Sequence, residues 1–179
     1  IFVIPSRSLR EFTSVFSDDI ETVEVFFANN QILFRSEHIS FYTRLLEGNY
    51  PDTDRLIPTE FNTEATFNVA NLRFAMERAR LLSNATQNGT VKLEFKNGVV
   101  SSHVHSPEVG RVNEEIDTSA VSGEDLSISF NPTYLIEALK AIDSEQVVIR
   151  FISSVRPFTL VPEGNEQGFI QLITPVRTN

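Results

Sequence analysis

Leu126-Ser-Ile-Ser-Phe130 runs through Asn131-Pro-Thr-Tyr134 into Leu135-Ile-Glu-Ala-Leu-Lys-Ala-Ile142. The first five residues read as a short strand. From Leu135 onward, Leu135, Ala138, Leu139 and Ile142 recur at helical spacing. Pro132 falls in the first turn of that helix, where its missing N–H costs little. The same pattern occurs twice upstream. Thr66-Phe-Asn-Val69 precedes Leu72, Ala75, Met76 and Ala79, and Ile1-Phe-Val-Ile4 precedes Leu9, Phe12 and Phe16. Leu9, Leu72 and Leu135 stand 63 residues apart and read as core anchors of three copies of one unit.

Each copy continues alike. Val23–Phe27, Val91–Phe95 and Val147–Phe151 read as half-buried strands, followed by turns at Asn29-Asn30, Asn97-Gly98 and Ser153-Ser154. Two more strands follow in each: Gln31–Ser36 and Ile39–Leu45, Val99–His105 and Gly110–Ile116, Pro157–Val161 and Phe169–Ile173. The period is too long for a solenoid and suits a βαβββ unit. Helices are expected over 6–16, 71–83 and 133–142, with Ser6 capping the first and Asn71 the second. The fold class is α+β, with helices on one face of antiparallel sheets.

One such unit has a single apolar helix stripe and a single sheet face, too little to close a core. Two units back to back close one. The second and third copies therefore form a complete domain over 59–179, and the first, over 1–58, stands unpaired. Tyr50–Pro58, bounded by Pro51 and Pro58, reads as the connector. The odd count leads to the expectation of a fragment whose missing repeat would precede Ile1. The exposed edge of the first copy is free to pair with the same repeat of a second molecule.

With 179 residues, 41% of them apolar and 15 of them Phe, the chain can bury one core and part of another. The absence of Cys removes disulfides, thiol nucleophiles and zinc–thiolate sites, and fits a reducing compartment. No stretch approaches a membrane span or reads as a signal peptide. The net charge of −9 argues against a nucleic-acid partner, but its distribution is uneven. The three expected helices carry Arg7, Arg10, Arg73, Arg78, Arg80 and Lys140 against Glu11, Glu77 and Glu137. Two readings fit this surplus: ordinary solvated faces, or helices that face a polyanion.

The repeated βαβββ units, the string Glu47-Gly-Asn-Tyr-Pro-Asp52, the tail Leu172-Ile-Thr-Pro-Val-Arg177 and the helix entry Phe130-Asn-Pro-Thr-Tyr134 together resemble the bacterial DNA sliding clamp family, the beta subunit of DNA polymerase III. The likeness spans the chain in order. It implies that 1–58 is the C-terminal half of a middle clamp domain and 59–179 a complete third one. It further implies a cytoplasmic, non-catalytic processivity factor without cofactor. Two subunits would close into a ring around duplex DNA, without reading its sequence. Polymerase subunits, the clamp loader and repair proteins would dock through short Leu/Phe-containing motifs. The rival reading is a peptide-binding scaffold that never meets DNA.

The resemblance also assigns residues. Pro51, Arg55 and Leu56 of the connector and Leu172, Ile173, Thr174, Pro175, Val176 and Arg177 of the tail match the family's peptide-binding groove, with Asn131, Tyr134 and Pro157 at its edge. On the residues alone, Pro51 and Pro175 equally serve as terminators, and Leu172 and Ile173 as a last core strand. Thr174 departs from the bulkier apolar residue frequent in the family, and part of the groove wall matches nothing in this sequence. Arg7, Arg10, Arg73, Arg80 and Lys140 become DNA-facing. Leu81, Leu82, Glu114 and Glu115 match positions at the ring interface. No catalytic residue emerges. His103 and His105 share a strand face without acidic neighbours in sequence, and Asp52 and Asp54 offer too few ligands, so no metal site is expected.

Overall fold

The computed structural model describes residues 2–16, 19–48, 50, 52–83, 89–106, 110–165 and 168–177. It separates into two units, Ile1–Thr53 and Asp54–Asn179. In the first, α1 (Ser6–Val15) precedes a three-stranded antiparallel sheet of β1 (Glu24–Phe27), β2 (Gln31–Arg35) and β3 (Ser40–Arg44). The second opens with a single 3-10 turn, Asp54–Leu56. It continues through β4 (Thr63–Asn68), α2 (Val69–Ser83), β5 (Val91–Lys96), β6 (Val99–Ser106), β7 (Gly110–Ile116) and β8 (Ala120–Gly123). The last copy follows as β9 (Leu126–Phe130), α3 (Pro132–Lys140), β10 (Gln146–Phe151), β11 (Phe158–Pro162) and β12 (Gln171–Ile173).

The two copies in the second unit exchange their first strands. Strand β9 opens the last copy yet pairs with β5 of the copy before it, Phe130 opposite Val91 and Leu126 opposite Phe95. Conversely, β4 pairs with β10, Asn68 opposite Gln146 and Thr63 opposite Phe151. The resulting sheets run β7-β6-β5-β9 and β12-β11-β10-β4-β8. Alternation places Val91, Leu93 and Phe95 of β5 inward and turns Lys92 and Lys96 out. Helices α2 and α3 pack on one another, and their Leu72, Met76, Leu135 and Leu139 join Phe67, Phe95, Phe130, Phe151 and Phe158 in one buried cluster. Rings meet within it, Phe95 tilted against Phe151 at 4.9 Å and Phe130 edge-on to Phe158 at 5.2 Å.

Local signals fix the helix starts. Asn131 Oδ1 accepts from the Thr133 N–H at 2.9 Å, with Pro132 as the first helical residue. The expectation for α2 is corrected: the helix begins two residues earlier, and Asn68 is the cap, accepting from the Asn71 N–H at 3.1 Å. Ser6 likewise lies inside α1, behind Pro5, and makes no capping bond. Strand β8 has no counterpart in the sequence reading. Its Gly123 has φ +97°, and a Cβ there would lie 1.9 Å from the Asn62 carbonyl oxygen, so only glycine fits.

The first unit departs furthest from expectation. Leu9 is 43% exposed, whereas Leu72 and Leu135 are fully buried. Within this unit α1 has no second helix to pack against, and only Phe16 and Ile32 are buried among its described residues. Phe12 stacks on Phe16 at 4.5 Å and packs at a tilt against Phe34 at 4.6 Å, which fastens α1 to its sheet. Residues 2–5 form no strand, because this unit has no second sheet to receive them; the Val3 carbonyl accepts instead from the Leu46 N–H at 2.8 Å. The two leucines should therefore differ on truncation. Leu135→Ala should cost about 2–5 kcal/mol of unfolding free energy, and Leu9→Ala under about 1 kcal/mol, measured by urea denaturation; equal losses would contradict this core.

Candidate functional site

Tyr134, Glu137 and Ala138 follow one another up α3 at helical spacing, facing the edge strand β12. Together with Gln171, Leu172, Ile173 and Thr174 they line a groove of about 370 Å³. Ile173 is buried at its floor, Leu172 is half-buried, and Tyr134 stands 59% exposed at its mouth. The Asn131 cap sets this geometry, since the same turn carries the Tyr134 N–H to the Asn131 carbonyl at 3.2 Å. Glu137 is held by Lys140 at 2.8 Å. An aromatic wall, an aliphatic floor and a few polar groups suit an apolar side chain presented on an extended peptide.

The remaining expected groove residues divide. Pro51 lies outside the described residues. Arg55 and Leu56 sit on the 3-10 turn, with Leu56 54% exposed, and Pro157 immediately precedes β11; none of the three lines the groove. Asn131 is half-buried and acts as the helix cap. Past Pro175, the Val176 N–H donates to the Ser129 carbonyl at 2.7 Å, which fastens the tail along the outer edge of β9. Val176 and Arg177 thus border a second groove, of about 460 Å³, with Lys92, Ser127, Ser129 and Ser154. Glu137 and Ala138 were findable from the spacing that Tyr134 begins. Lys92 was not, because its approach to Arg177 depends on the β5–β9 pairing.

The helix cations are more compensated than their count suggests. Arg7 pairs with Glu11 at 3.0 Å, Arg73 lies 3.8 Å from Glu77, and Lys140 pairs with Glu137. Among the described residues, Arg10 and Arg80 are the helix cations with no carboxylate within ion-pair distance. Arg73 and Arg80 flank Glu77 along one side of α2, where Arg73 also lies 5.3 Å from the Phe74 ring.

On the other side of α2, Phe74, Arg78 and Leu81 are exposed, Leu81 by 72%. Leu82 instead packs on the core, so Phe74 is the apolar residue that shares the exposed flank with Leu81. Arg78 reaches across to β7 and pairs with Glu114, whose hydrogen bond raises the guanidinium above its ordinary pKa. Glu115 remains exposed beside them. Phe74, Arg78, Glu114, Glu115 and Asp117 border a shallow groove of about 270 Å³.

His103 is engaged at both ring nitrogens, with Ser101 Oγ at 2.9 Å and Asn113 Oδ1 at 2.8 Å. This Ser–His–Asn row lies on the outer face of β6 and β7. The backbone of β6 is committed on both sides, to β5 and to β7, so it offers no amide pair to an oxyanion. No group of three or more metal-ligating side chains occurs among the described residues. Nor is any described helix long and apolar enough to cross a membrane.

Two βαβββ copies with exchanged first strands, their helices packed on one another and against antiparallel sheets, preceded by a further copy whose opening residues form no strand, define a clamp-type α+β protein. The chain belongs to the DNA polymerase III beta subunit family: residues 54–177 match the profile of its C-terminal domain and residues 1–52 that of its central domain. The beta sliding clamp of Streptococcus pneumoniae is 80% identical over 177 residues, covering 99% of this chain and 47% of that protein. The Lactococcus lactis beta sliding clamp is 54% identical over 179 residues, with 99% and 47% covered. The crystal structure of the Streptococcus pneumoniae DNA polymerase III beta chain superimposes with a TM-score of 0.93, covering 99% of this chain and 47% of that one at 80% identity. The sliding clamp of Bacillus subtilis does so at 0.87 and 38% identity, with 99% and 47% covered. The chain thus spans about half the length of the relatives it matches.

The Arg78–Glu114 pair ties α2 to β7 and should show as measurable coupling. A double-mutant cycle of Arg78→Ala and Glu114→Ala, read by urea unfolding, should give about 0.2–1 kcal/mol at low salt. That coupling should shrink toward zero near 1 M salt, where exposed charges are screened.

Proposed function

We propose that this chain works as part of a sliding clamp, a cytoplasmic, non-catalytic processivity factor that as a closed homodimeric ring encircles duplex DNA and tethers polymerases to it. The observation that carries this reading is the 80% identity to a beta sliding clamp across 99% of the chain. Arg7, Arg10, Arg73, Arg80 and Lys140 face the DNA in this reading. Leu81, with Phe74 beside it and Glu115 nearby, meets the neighbouring subunit. The groove of Tyr134, Leu172, Ile173 and Thr174 takes Leu/Phe-containing peptides of polymerase subunits, the clamp loader and repair proteins. Arg55 and Leu56 approach that peptide from the 3-10 turn.

The electrostatics support sliding rather than gripping. A closed ring is retained by topology, so each phosphate contact can be weak. Pairs three or four residues apart on a helix, such as Arg73–Glu77 and Glu137–Lys140, are worth about 0.3–0.5 kcal/mol. Phosphates can displace such carboxylates one after another at little cost. The excess acid elsewhere, in a chain of net charge −9, disfavours DNA on other surfaces.

The test is charge reversal in a ring-forming protein that contains this chain. Arg73→Glu with Arg80→Glu should lower processive primer extension on the order of ten-fold near physiological salt. Unchanged synthesis would remove these helices from the DNA interface and leave a peptide-binding scaffold as the better account. Separately, Tyr134→Ala should weaken binding of a Leu/Phe-containing peptide about ten-fold or more, read by fluorescence anisotropy, while circular dichroism stays unchanged.

A further inference from the structure

The three copies carry different residues at one set of equivalent positions. In the matched strands Val23–Phe27, Val91–Phe95 and Val147–Phe151, the fourth residue is Phe26, Glu94 and Arg150 in turn. Directly opposite on the next strand stand Leu33, Ser101 and Thr159, and on the strand after it Tyr42, Glu115 and Leu172. The second copy thus fills this outer row with Glu94, Ser101 and Glu115, and the third begins it with Arg150. Their charges are answered locally: Glu94 lies 3.5 Å from both Lys92 and His103, and Arg150 lies 2.6 Å from Glu64. The fold does not require carbon here. The first copy nevertheless supplies Phe26, Leu33 and Tyr42, with Phe26 43% and Tyr42 74% exposed. Helix α1 packs on the opposite face, through Phe12 and Phe34, so the row takes no part in that contact. Together with Ala28 and Gln31 these three side chains border a depression of about 430 Å³. An arginine stands at each end. Arg35 lies 4.7 Å over the Phe26 ring and is held by Glu24 at 2.8 Å. Arg44, opposite Gln31, is exposed and has no carboxylate within ion-pair distance among the described residues.

We propose that this row on the first unit is a separate protein-docking surface, which takes a peptide segment with one aromatic or aliphatic anchor beside an acidic residue. The anchor lies over Phe26, Leu33 and Tyr42, contiguous exposed carbon of the kind that marks a contact surface. The acidic residue meets Arg44, while at the Arg35 end Glu24 already fills that place. Arg44 stands two residues beyond Tyr42 on β3, about 7 Å at the rise of a strand, so the carboxylate falls one or two residues from the anchor. Size decides against a folded partner: a stable interface engages roughly 20–30 residues a side, and this row offers three with a cation at each end. Charge decides against a nucleic-acid strand, because one unmatched arginine cannot follow successive phosphates. A single carboxylate beside a carbon anchor needs no more than that. The surface lies on a different unit from the Tyr134–Leu172 groove and does not depend on how that groove is read.

The experiment is an NMR titration of this chain with a short peptide that holds one Trp and, two residues away on each side, a Glu. Two control peptides replace the Trp by Ala, or both Glu by Gln. The Trp/Glu peptide should move the signals of Phe26, Leu33, Tyr42 and Arg44 and leave those of Tyr134 and Leu172 in place. Loss of the Trp should weaken binding about ten-fold or more, and loss of the Glu about two- to five-fold at low salt. Arg44→Gln should erase the advantage of the Glu peptide and leave the Gln peptide unaffected. Tyr42→Glu places at its position the residue type that Glu115 supplies in the second copy, and Phe26→Glu does the same after Glu94. Each should weaken both Trp peptides about ten-fold, with the urea midpoint of the Tyr42 variant unchanged. Undiminished binding in both variants would overturn the proposal. So would a titration that moves only Tyr134 and Leu172, or none of these signals. An oligothymidylate that moves the row where the Trp/Glu peptide does not would overturn it in favour of single-stranded nucleic acid.

Discussion

Everything in the second unit depends on one exchange: each βαβββ copy gives its first strand to the sheet of the other. A lone copy presents one sheet face and one helix stripe to water, and neither is large enough to stand alone. By crossing over, β4 and β9 each become the fourth member of the neighbouring copy's sheet, β4 covered in turn by β8 and β9 standing at the edge. They carry their helices with them, so α2 and α3 arrive side by side against the sheets. Phe67 and Phe130, the buried aromatic residues of the two exchanged strands, end up in the same cluster as Phe95 and Phe151. The first unit displays the converse. With one copy and no exchange, its opening residues form no strand, and Leu9 stays at the surface.

The same exchange places the candidate sites at seams. The outer edge of β9 is where the sheet of one copy stops, and the tail from the end of the other copy is laid along it by the Val176–Ser129 bond. One short run, Gln171 to Arg177, therefore passes from the flank of α3 to the outer face of the β5–β9 pair. Its early residues meet aliphatic and aromatic carbon, and its later ones meet hydroxyl groups and Lys92. Neither surface needs a movable lid, because both are carried on paired backbone.

The sequence made the repeat legible because period is a robust signal. Leu72 and Leu135, the turn at Asn97-Gly98 and the Asn131-Pro132 entry each have a local physical meaning that survives folding. What it hid were features that depend on partners distant along the chain. Asn68 and Asn71 are both competent caps, and the choice fell to Asn68 because β4 hands directly into α2. Strand β8 has no pattern of its own and exists because the edge of β4 was available, with Gly123 admitting the close approach. Tyr134 and Leu172 were found through family likeness, whereas Lys92 belongs to a groove that exists only once β5 and β9 are side by side. Counting charges was the least reliable step, since it saw Arg78 as surface cation when Glu114 lay waiting on β7.

That last point bears on how such a surface handles a polyanion. A bare basic stripe would hold each phosphate firmly, and movement along a duplex would require breaking every contact together. Arg73 on α2 and Lys140 on α3 each have a carboxylate one turn away, at 3.8 Å and 2.8 Å. Releasing a phosphate therefore returns each of these cations to a local partner rather than to an unpaired state. Exposed pairs of this kind are separated from their alternatives by less than about 1 kcal/mol, only slightly above thermal energy. In the proposed DNA-facing reading the landscape along the duplex is thereby flattened, with Arg10 and Arg80 supplying the net attraction. The price in affinity is tolerable only where something other than affinity prevents escape. Local compensation of this kind is therefore matched to a protein held on its partner by closure of a ring.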